Sequence, residues 1–470
     1  MPEHAPYGTT HAVARWLMIA ACFPAALCAG QTATAPSAGA KVDIPALVRK
    51  LGDNDYKTRQ DAQEQLRRLG SAARAALEKA ATDDDSEVRQ RATDLLKELA
   101  VVETQTQAQA MRKNLLWTFE LVRGPAGPPA IADGKVVFLG SDSKLHALDA
   151  AKGKELWNLG TFTIKVGECD TPVLADGTVF LTDRVDSVYA IDLAKGQLLW
   201  RQNGMNRLGL PCVEKGFVYL QANDEAMVML ARTGEVKAKE PSPFSTVRPV
   251  WAGGIFYRLD SVKSTRSASA PEHVQGIVAI QGKDKRLWEF DPEAECSHLF
   301  LSGDALYFKA AAIVGALEAK TGKKLWDFGL PALVREEGLF AVVDGTVYAT
   351  CYNKLVALEA KTGQKKWQAD FSPTQANVPK GSEVREMMGL AIDGSGVYVG
   401  RPDGLHALDL TTGKEVWTLR TANRLNVGPT VADGVLYFGT CLQANPETNE
   451  KPDFEDSPGL HALKIKGSTK

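Results

Sequence analysis

The amino-acid sequence predicts a mainly β protein, an eight-bladed β-propeller with a small N-terminal α-helical repeat module in front of it. Three observations predict this fold. A motif of a carboxylate, a glycine and a tryptophan recurs roughly every forty residues in the last three quarters of the chain. A second turn marks each of eight units, and a lone tryptophan-bearing segment stands ahead of the first complete unit.

Residues 1–30 have the pattern of a signal peptide. Arg15 precedes the apolar run 16–27, and small residues at 29–30 suit a signal-peptidase site. We therefore expect an exported protein, periplasmic or at the cell surface. Segment 19–22 resembles a lipobox ending in Cys22, but the apolar stretch ahead of it is short, so we favour a soluble or peripheral protein over a lipid-anchored one.

The bulk composition limits the classes of function. The chain has 470 residues, of which 44% are hydrophobic and 24% charged, so it can bury more than one core. Its formal net charge of −2 provides no overall positive field, which disfavours binding of nucleic acid. After the signal segment, no apolar run approaches the roughly 20 residues of a membrane span, so no transmembrane segment is predicted.

A helical module follows a linker at 31–41. Asp55, Arg59 and Leu66 belong to a pattern that recurs thirty residues later, at Asp85, Arg89 and Leu96, within a helical period. Residues 42–100 therefore resemble a pair of HEAT-like repeats, and 101–113 a helical linker. The module could be a protein-docking surface or, slightly favoured, a structural cap. Its predicted N-caps are Ser71 and Ser86, and its predicted apolar stripe is Leu47, Leu51, Leu66, Leu69, Leu77, Leu95 and Leu99.

Residues 114–470 carry the propeller repeats. In five copies the carboxylate precedes the glycine by four residues and the tryptophan by eight. This spacing predicts a hairpin in which the glycine adopts a positive φ and the tryptophan covers the neighbouring blade from the outer strand. The copies are Asp149/Gly153/Trp157, Asp192/Gly196/Trp200, Glu318/Gly322/Trp326, Glu359/Gly363/Trp367 and Asp409/Gly413/Trp417.

The ends of this region predict circular closure. The last unit begins at Asp433-Gly434 and ends before any tryptophan-bearing fourth strand. The missing strand is present upstream, in the segment 115–119 around Trp117, so the leading strand should complete the final blade. Two units depart from the motif: the third has Ala238 in place of tryptophan, and the fourth has a shortened turn around Gly282. We expect these blades to pack less tightly.

These repeats resemble the pyrroloquinoline-quinone-like propeller family, which includes quinoprotein dehydrogenases and the non-catalytic propeller subunit of the outer-membrane β-barrel assembly machinery. The resemblance covers roughly residues 114–465. The motif is specific for the fold and weak for function, because a hairpin signature carries no chemistry by itself.

Candidate binding residues lie on one face of the predicted propeller. The glycine turns share a face, and the irregular loops 160–170, 261–275, 372–386 and 442–459 share the other, where we expect recognition. Arginines that fall shortly before the innermost strands could form a basic collar at the channel mouth, suited to carboxylate or phosphate groups, or could pair with nearby acids such as Glu168, Glu336, Glu337 and Glu386. The arginines are Arg123, Arg207, Arg248, Arg335, Arg385 and Arg424.

No catalytic or metal-binding residues are predicted. The acidic segment 447–456 lacks the alternating spacing of a calcium loop, and His146, His406 and His461 share one strand position, which indicates packing rather than metal binding. The cysteines that follow the predicted cleavage site have no paired spacing, which favours reduced thiols: Cys169, Cys212, Cys296, Cys351 and Cys441.

These observations favour a non-enzymatic extracytoplasmic binding or scaffold protein without a cofactor, with a protein partner in the cell envelope. The alternative is a quinoprotein oxidoreductase of alcohols or sugars. The family resemblance would then imply a quinone held by calcium, a catalytic Asp and often an adjacent Cys-Cys disulfide. The sequence has no such pair of cysteines, and its calcium ligands and Asp match no motif that we can place.

Overall fold

The computed structural model describes residues 42–160, 171–183, 186–205, 208–222, 225–241, 247–266, 271–282, 285–331, 338–351, 353–371, 387–444 and 457–465. The predicted signal peptide, the linker 31–41 and Cys22 lie outside the described residues.

Four helices form the N-terminal part of the described chain: α1 (Ile44–Arg49), α2 (Tyr56–Leu69), α3 (Arg74–Ala80) and α4 (Ser86–Arg112). The described residues divide into two compact units, and the division falls between Leu95 and Leu96, within α4. Because α4 is continuous, the predicted repeat and linker on either side of residue 100 belong to one helix. Among the described residues, no helix is long and apolar enough to cross a bilayer.

Helices α2 and α4 begin in the same way. The Asp55 carboxylate accepts a hydrogen bond from the Thr58 amide (2.9 Å), and the Asp85 carboxylate accepts the equivalent bond from the Val88 amide (3.3 Å). The predicted caps Ser71 and Ser86 are wrong: Asp85, one residue before Ser86, satisfies the first amides of α4. Ser71 lies in a 3-10 turn, Gly70–Ala73, ahead of α3.

The predicted apolar stripe forms the core of the helical part. All of its leucines are buried except Leu69, which is half-buried because it is the last residue of α2. The relationship to HEAT repeats stays a prediction, because two helix pairs are fewer than the three or more units that give stacked repeats a continuous core.

The first half of the propeller consists of a leading strand and four blades. They are β1 (Leu115–Glu120); β2 (Ala130–Ala132), β3 (Lys135–Leu139), β4 (Lys144–Asp149), β5 (Glu155–Gly160); β6 (Val173–Ala175), β7 (Thr178–Thr182), β8 (Val188–Asp192), β9 (Leu198–Gln202); β10 (Cys212–Glu214), β11 (Phe217–Ala222), β12 (Glu225–Leu230), β13 (Val236–Pro241); and β14 (Val250–Ala252), β15 (Ile255–Lys263), β16 (His273–Gln281), β17 (Lys285–Phe290).

The second half supplies three further four-stranded blades and three strands of the eighth. They are β18 (Cys296–Ser302), β19 (Ala305–Ala310), β20 (Ile313–Glu318), β21 (Lys324–Gly329); β22 (Phe340–Val343), β23 (Thr346–Cys351), β24 (Lys354–Glu359), β25 (Lys365–Asp370); β26 (Gly389–Asp393), β27 (Gly396–Arg401), β28 (Gly404–Leu408), β29 (Glu415–Arg420); and β30 (Asn423–Ala432), β31 (Val435–Ala444), β32 (Gly459–Lys464).

The predicted closure is confirmed. The strands form eight antiparallel four-stranded sheets, and the eighth has the order β1-β32-β31-β30. Trp117 on β1 pairs with Ala462 on β32, and Phe119 pairs with Leu460. The first strand of the propeller therefore completes its last blade, and the fold class is the eight-bladed propeller that the repeats predicted.

Two faces of the propeller follow from this order. The turns between first and second strands and between third and fourth strands share one face, which we call the turn face. A backbone hydrogen bond joins the two turns of one blade, from the Ala150 amide to the Gly134 carbonyl (2.9 Å), and its equivalents recur around the ring. The opposite face carries the other connections, and we call it the loop face.

A tryptophan clasp links successive blades. The indole of Trp326 donates a hydrogen bond to the Ala360 carbonyl of the next blade (2.9 Å), and its ring covers Gly363, where an added Cβ would lie 2.6 Å from the ring. Gly363 has φ of 71°, as the motif predicted. The same pair of contacts joins Trp117 to Gly153, Trp157 to Gly196, Trp200 to Gly234, Trp288 to Gly322 and Trp367 to Gly413.

The seam between the third and fourth blades is built differently. Ala238 occupies the tryptophan position of the third blade, and a Cβ added to Gly282 would meet nothing within 4 Å. Instead, Trp251 of the fourth blade stacks on Tyr219 of the third, with ring centroids 4.5 Å apart and planes at 17°. At this seam the stacked rings of Tyr219 and Trp251, on inner strands, take the place of the tryptophan clasp that outer strands form elsewhere.

A β-bulge occurs in the outer strand of every blade, directly before the tryptophan position. In the fifth blade, Ala316 pairs with Trp326 and Leu317 with Lys324, so Leu325 is the extra residue and lies exposed. Bulges disrupt the ladder at a sheet edge and reduce edge-to-edge pairing of outer strands.

Candidate functional site

The structure describes part of the predicted basic collar on the loop face. Arg123, Arg248 and Arg424 are described, whereas Arg207, Arg335 and Arg385 lie outside the described residues. The acids that could pair with the arginines, Glu168, Glu336, Glu337 and Glu386, lie outside them as well. Of the four irregular loops, the hairpin 261–275 is described except for 267–270.

Arg123 and Arg424 lie on adjacent segments of the loop face, where the eighth blade meets the first. Arg123 is exposed in the connection between β1 and β2, and Arg424 is half-buried on β30. The Asn426 side-chain amide donates to the Pro125 carbonyl (2.8 Å), which joins the two segments. In the described part of the chain, neither arginine forms an ion pair, so both guanidinium groups are available to an anionic group.

Arg248 lies beside a different seam. It is exposed directly before β14 of the fourth blade and close to Cys212 of the third. Burial raises the pKa of the Cys212 thiol, and the positive charge of Arg248 opposes part of that rise. Basic side chains therefore lie at two separate seams of the loop face. A complete collar of six arginines around the channel mouth stays a prediction.

The fourth blade adds an extended hairpin to the loop face. Strands β15 and β16 have nine residues each, and their pairing reaches from Ile255–Gln281 to Lys263–His273. The Asp291 carboxylate is fully buried and accepts hydrogen bonds from the Thr265 amide and the Arg266 guanidinium, both 3.0 Å. Burial alone would raise the pKa of Asp291, but these donors lower it. The carboxylate therefore ties the hairpin to its blade.

Three histidines share one strand position in their blades. Two of them, His146 and His406, each lie between two carboxylates. The Nδ1 and Nε2 atoms of His406 are 2.6 Å from Glu415 and 3.3 Å from Asp403. Burial alone would lower the pKa of His406, but the hydrogen bonds to Asp403 and Glu415 raise it. Burial alone would raise the pKa of Asp403, but the hydrogen bond to His406 and the positive charges of His406 and Arg401 lower it to about 2. The two carboxylates of this blade therefore favour the protonated form of His406.

The other two histidines show how the position varies. His146 lies between Asp142 (3.0 Å) and Glu155 (2.7 Å). His461 instead contacts two threonine hydroxyls, and burial lowers its pKa to about 3, so it is neutral. Sequence reasoning missed the carboxylate partners. A glutamate nine residues after His146 and after His406 was the available signal.

The family whose description is outer membrane protein assembly factor BamB matches residues 97–163, 161–237, 251–386 and 379–450. These segments cover more than half of the chain. The chain belongs to the BamB family. Membership confirms the predicted resemblance to the pyrroloquinoline-quinone-like propellers. No curated protein is similar enough to count as a relative of the chain.

Several solved structures share the propeller. The quinohemoprotein alcohol dehydrogenase of Comamonas testosteroni is 16% identical, with a TM-score of 0.58 over 77% of this chain and 78% of that one. The quinohemoprotein alcohol dehydrogenase ADHIIG of Pseudomonas putida HK5 is 14% identical, with a TM-score of 0.57 over 76% of each chain. The computationally designed Ika8 protein is 15% identical, with a TM-score of 0.54 over 75% of this chain and all of its own. At these identities the likeness shows the fold alone.

Two observations on the described residues concern the quinone, calcium and disulfide that the resemblance implied for the alternative function. Within the described ranges, no three His, Cys, Asp or Glu side chains are arranged to hold a metal ion. The described cysteines, Cys212, Cys296, Cys351 and Cys441, are free thiols on four different blades.

Proposed function

We propose that this BamB-family protein is a non-enzymatic extracytoplasmic binding or scaffold protein, and that its loop face binds a protein partner or another anionic ligand in the cell envelope. The observation that carries this proposal is the pair Arg123 and Arg424, which lie on adjacent loop-face segments without an ion pair among the described residues. Guanidinium groups that are accessible and not neutralised by the protein suit carboxylates on a partner surface.

Two further features support the proposal. The family that matches this chain is described as an outer membrane protein assembly factor, and we infer that the chain acts in the cell envelope. The predicted signal peptide 1–30 would deliver this chain to that compartment. The helical pair 42–100, with its HEAT-like pattern, would supply a second contact surface for the same assembly.

Co-purification from the cell envelope tests the proposal. The double variant Arg123→Ala/Arg424→Ala should recover less of the partner proteins than the unaltered chain, whereas Lys152→Ala/Arg232→Ala should recover the same amount. The control residues are exposed and basic, but they lie in third-to-fourth-strand turns on the turn face. Unchanged recovery with the loop-face variant would contradict the role of these arginines.

The second candidate function is a quinoprotein oxidoreductase, favoured by the fold shared with two quinohemoprotein alcohol dehydrogenases. Titration of the purified protein with pyrroloquinoline quinone and calcium, followed by absorbance and by dye-linked oxidation of alcohols or sugars, separates the two functions. Saturable quinone binding with turnover would replace the scaffold proposal by the oxidoreductase.

A further inference from the structure

Two large apolar side chains are exposed at the seam between the eighth and first blades. Val122, in the turn that follows β1, is 73% exposed, and Leu442, near the end of β31, is 67% exposed. These are the two highest values for large apolar side chains in the part of the chain that the structure describes. Single exposed apolar residues are common on protein surfaces, whereas several in one place indicate a binding site. The relative position of these two side chains therefore decides their meaning.

Val122 and Leu442 lie in one small area of the loop face. A Cβ added to Gly124 would be 2.2 Å from the Thr440 carbonyl oxygen, and the next residues along, at 125 and 439, also touch. The two chain segments are therefore in contact and run in opposite directions. Val122 and Leu442 each lie two residues beyond the contact between Gly124 and Thr440, at the same end of it.

The same area contains two of the arginines of the proposed binding face. Arg123 directly follows Val122, and Arg424 on β30 pairs with Cys441 on β31. The pairing of these strands shifts directly beyond Cys441, so Leu442 is the next residue and has no cross-strand partner on β30. Apolar and guanidinium side chains therefore alternate over a short distance. We call Val122, Arg123, Arg424 and Leu442 the seam patch.

Hydrogen bonds hold the turn of the seam patch in place. The Gly124 amide donates to the Leu121 carbonyl (2.8 Å), and the Leu121 amide donates to the Pro458 carbonyl (2.9 Å). The Gly124 carbonyl accepts a hydrogen bond from the Ser141 amide of the first blade (3.2 Å). One side of the seam patch therefore has a fixed backbone, which lowers the entropic cost of binding a partner.

The charge of the seam patch is positive. In the loop-face turns of the first and seventh blades, Asp142 bonds to His146 and Asp403 bonds to His406. Glu120 on β1 is exposed and offsets part of the charge, which leaves two guanidinium groups against one carboxylate. Sites for anionic lipid surfaces typically have clusters of roughly four to eight basic residues, whereas one or two guanidinium groups suit individual carboxylates. The charge therefore favours an acidic side chain of a protein over a membrane surface.

We propose that the seam patch binds a short segment of a partner protein in which an aspartate or glutamate lies beside a large aliphatic side chain. Burial of Val122 and Leu442 against the aliphatic side chain supplies affinity, and the two guanidinium groups select the carboxylate and its position. This inference rests on the proposed function and adds the chemistry of the partner to it.

Fluorescence anisotropy of a labelled peptide tests the proposal with the full chain. The probe is a short capped peptide that contains Asp-Leu pairs, and two control peptides replace its aspartates by asparagine or its leucines by serine. The unaltered protein should bind the probe saturably and each control peptide at least about tenfold more weakly, because each control lacks one of the two kinds of contact. This comparison needs no variant.

Two double variants then assign the binding to the seam patch. Val122→Ser/Leu442→Ser and Arg123→Gln/Arg424→Gln should each raise the Kd of the probe at least about tenfold. The arginine variant should leave the weak binding of the asparagine peptide unchanged, since that peptide has no carboxylates. A fall in the binding of both peptides would mean that the arginines do not recognise the acidic side chain, which contradicts the proposal.

The control variant Leu156→Ser/Leu325→Ser removes two leucines of outer strands that are 48% and 50% exposed, and it should leave the Kd unchanged. Equal weakening in this variant, equal binding of the three peptides or no saturable binding overturns the proposal. So does binding of phosphatidylglycerol vesicles that requires the seam patch when the probe does not bind. If replacement of the acids at 447–456 by amides tightens binding of the uncharged asparagine peptide about tenfold, the chain's own segment occupies the patch, and the partner assignment is wrong.

Failure of this inference can be told apart from failure of the proposed function. If Val122→Ser/Leu442→Ser changes neither probe binding nor recovery of partner proteins, while Arg123→Ala/Arg424→Ala lowers that recovery, the apolar contact is wrong and the proposed function stands. If neither variant lowers recovery, both are contradicted.

Discussion

The indole N–H of Trp117 donates to the carbonyl oxygen of Ala150 at 2.9 Å, across the point where the ring of blades closes. Trp117 belongs to the first strand of the propeller, and Ala150 to a turn of the first complete blade. The seam that closes the ring therefore uses the same clasp as five other seams. We expect the stability of the propeller to depend on these clasps more than on the exposed residues beside them.

Removal of one clasp tests this dependence. Trp326→Ala should lower the free energy of unfolding by about 3–5 kcal/mol, because it removes a buried indole, its hydrogen bond to Ala360 and its packing on Gly363. The neighbouring bulged residue is the control: Leu325→Ala should cost less than about 1 kcal/mol, because Leu325 is half exposed. Denaturant unfolding measures both, and equal costs would contradict the role of the clasp.

Two glycines allow the free-energy cost of packing against a clasp tryptophan to be measured separately from the cost of the backbone conformation. Gly363 and Gly345 have nearly the same φ, 71° and 69°, but only Gly363 lies under a tryptophan ring. Gly345→Ala should cost about 1–2 kcal/mol for its left-handed conformation. Gly363→Ala should cost about 1–3 kcal/mol more, since its Cβ would displace the Trp326 ring. The same destabilisation in both variants would show that the Trp326 ring moves aside without a cost in free energy.

The hydrogen bonds between His406 and two carboxylates make stability depend on pH. Its pKa is raised in the folded protein, so its contribution is complete below about pH 6.5 and is lost as the pH rises through the folded-state pKa. The pKa of Asp403 is lowered to about 2, so its contribution is present above about pH 4 and is lost as the pH falls towards 2. The cluster should stabilise the seventh blade most between about pH 5 and 6.5.

Denaturant unfolding of His406→Gln across this range measures the effect. The difference in free energy of unfolding between the variant and the unaltered chain should be largest near pH 5–6 and should shrink towards pH 9. A difference that is constant or that grows with pH would mean that His406 is neutral in the folded protein.

The propeller could be predicted from sequence because its signals are local. The carboxylate, glycine and tryptophan of each motif lie within nine residues, and the glycine conformation and the outer-strand position of Trp157 follow from that spacing. Closure could be predicted because Trp117 had no upstream partner strand. The caps at Asp55 and Asp85 were not predicted, because these residues were noticed only as members of the thirty-residue repeat.

The polar features of the seams could not be predicted in the same way. Arg258 lies in a strand whose pattern looks like those of the other blades, and its environment depends on Phe256 and Tyr219 packing across two blades. The carboxylate partners of His406 come from a turn and from a neighbouring strand. Such contacts depend on the register of the paired strands and on packing between blades. Neither can be obtained from the local periodicity of the sequence.

Site-specific photo-crosslinking in the cell envelope tests the proposed binding face most directly. A photoreactive residue at Val122, which is exposed on the loop face beside Arg123, should yield crosslinks to a partner protein, and replacement of Arg123 and Arg424 by alanine should weaken them. The same group at Lys195, exposed on the turn face, should yield none. Crosslinks from Lys195 and not from Val122 would contradict the account.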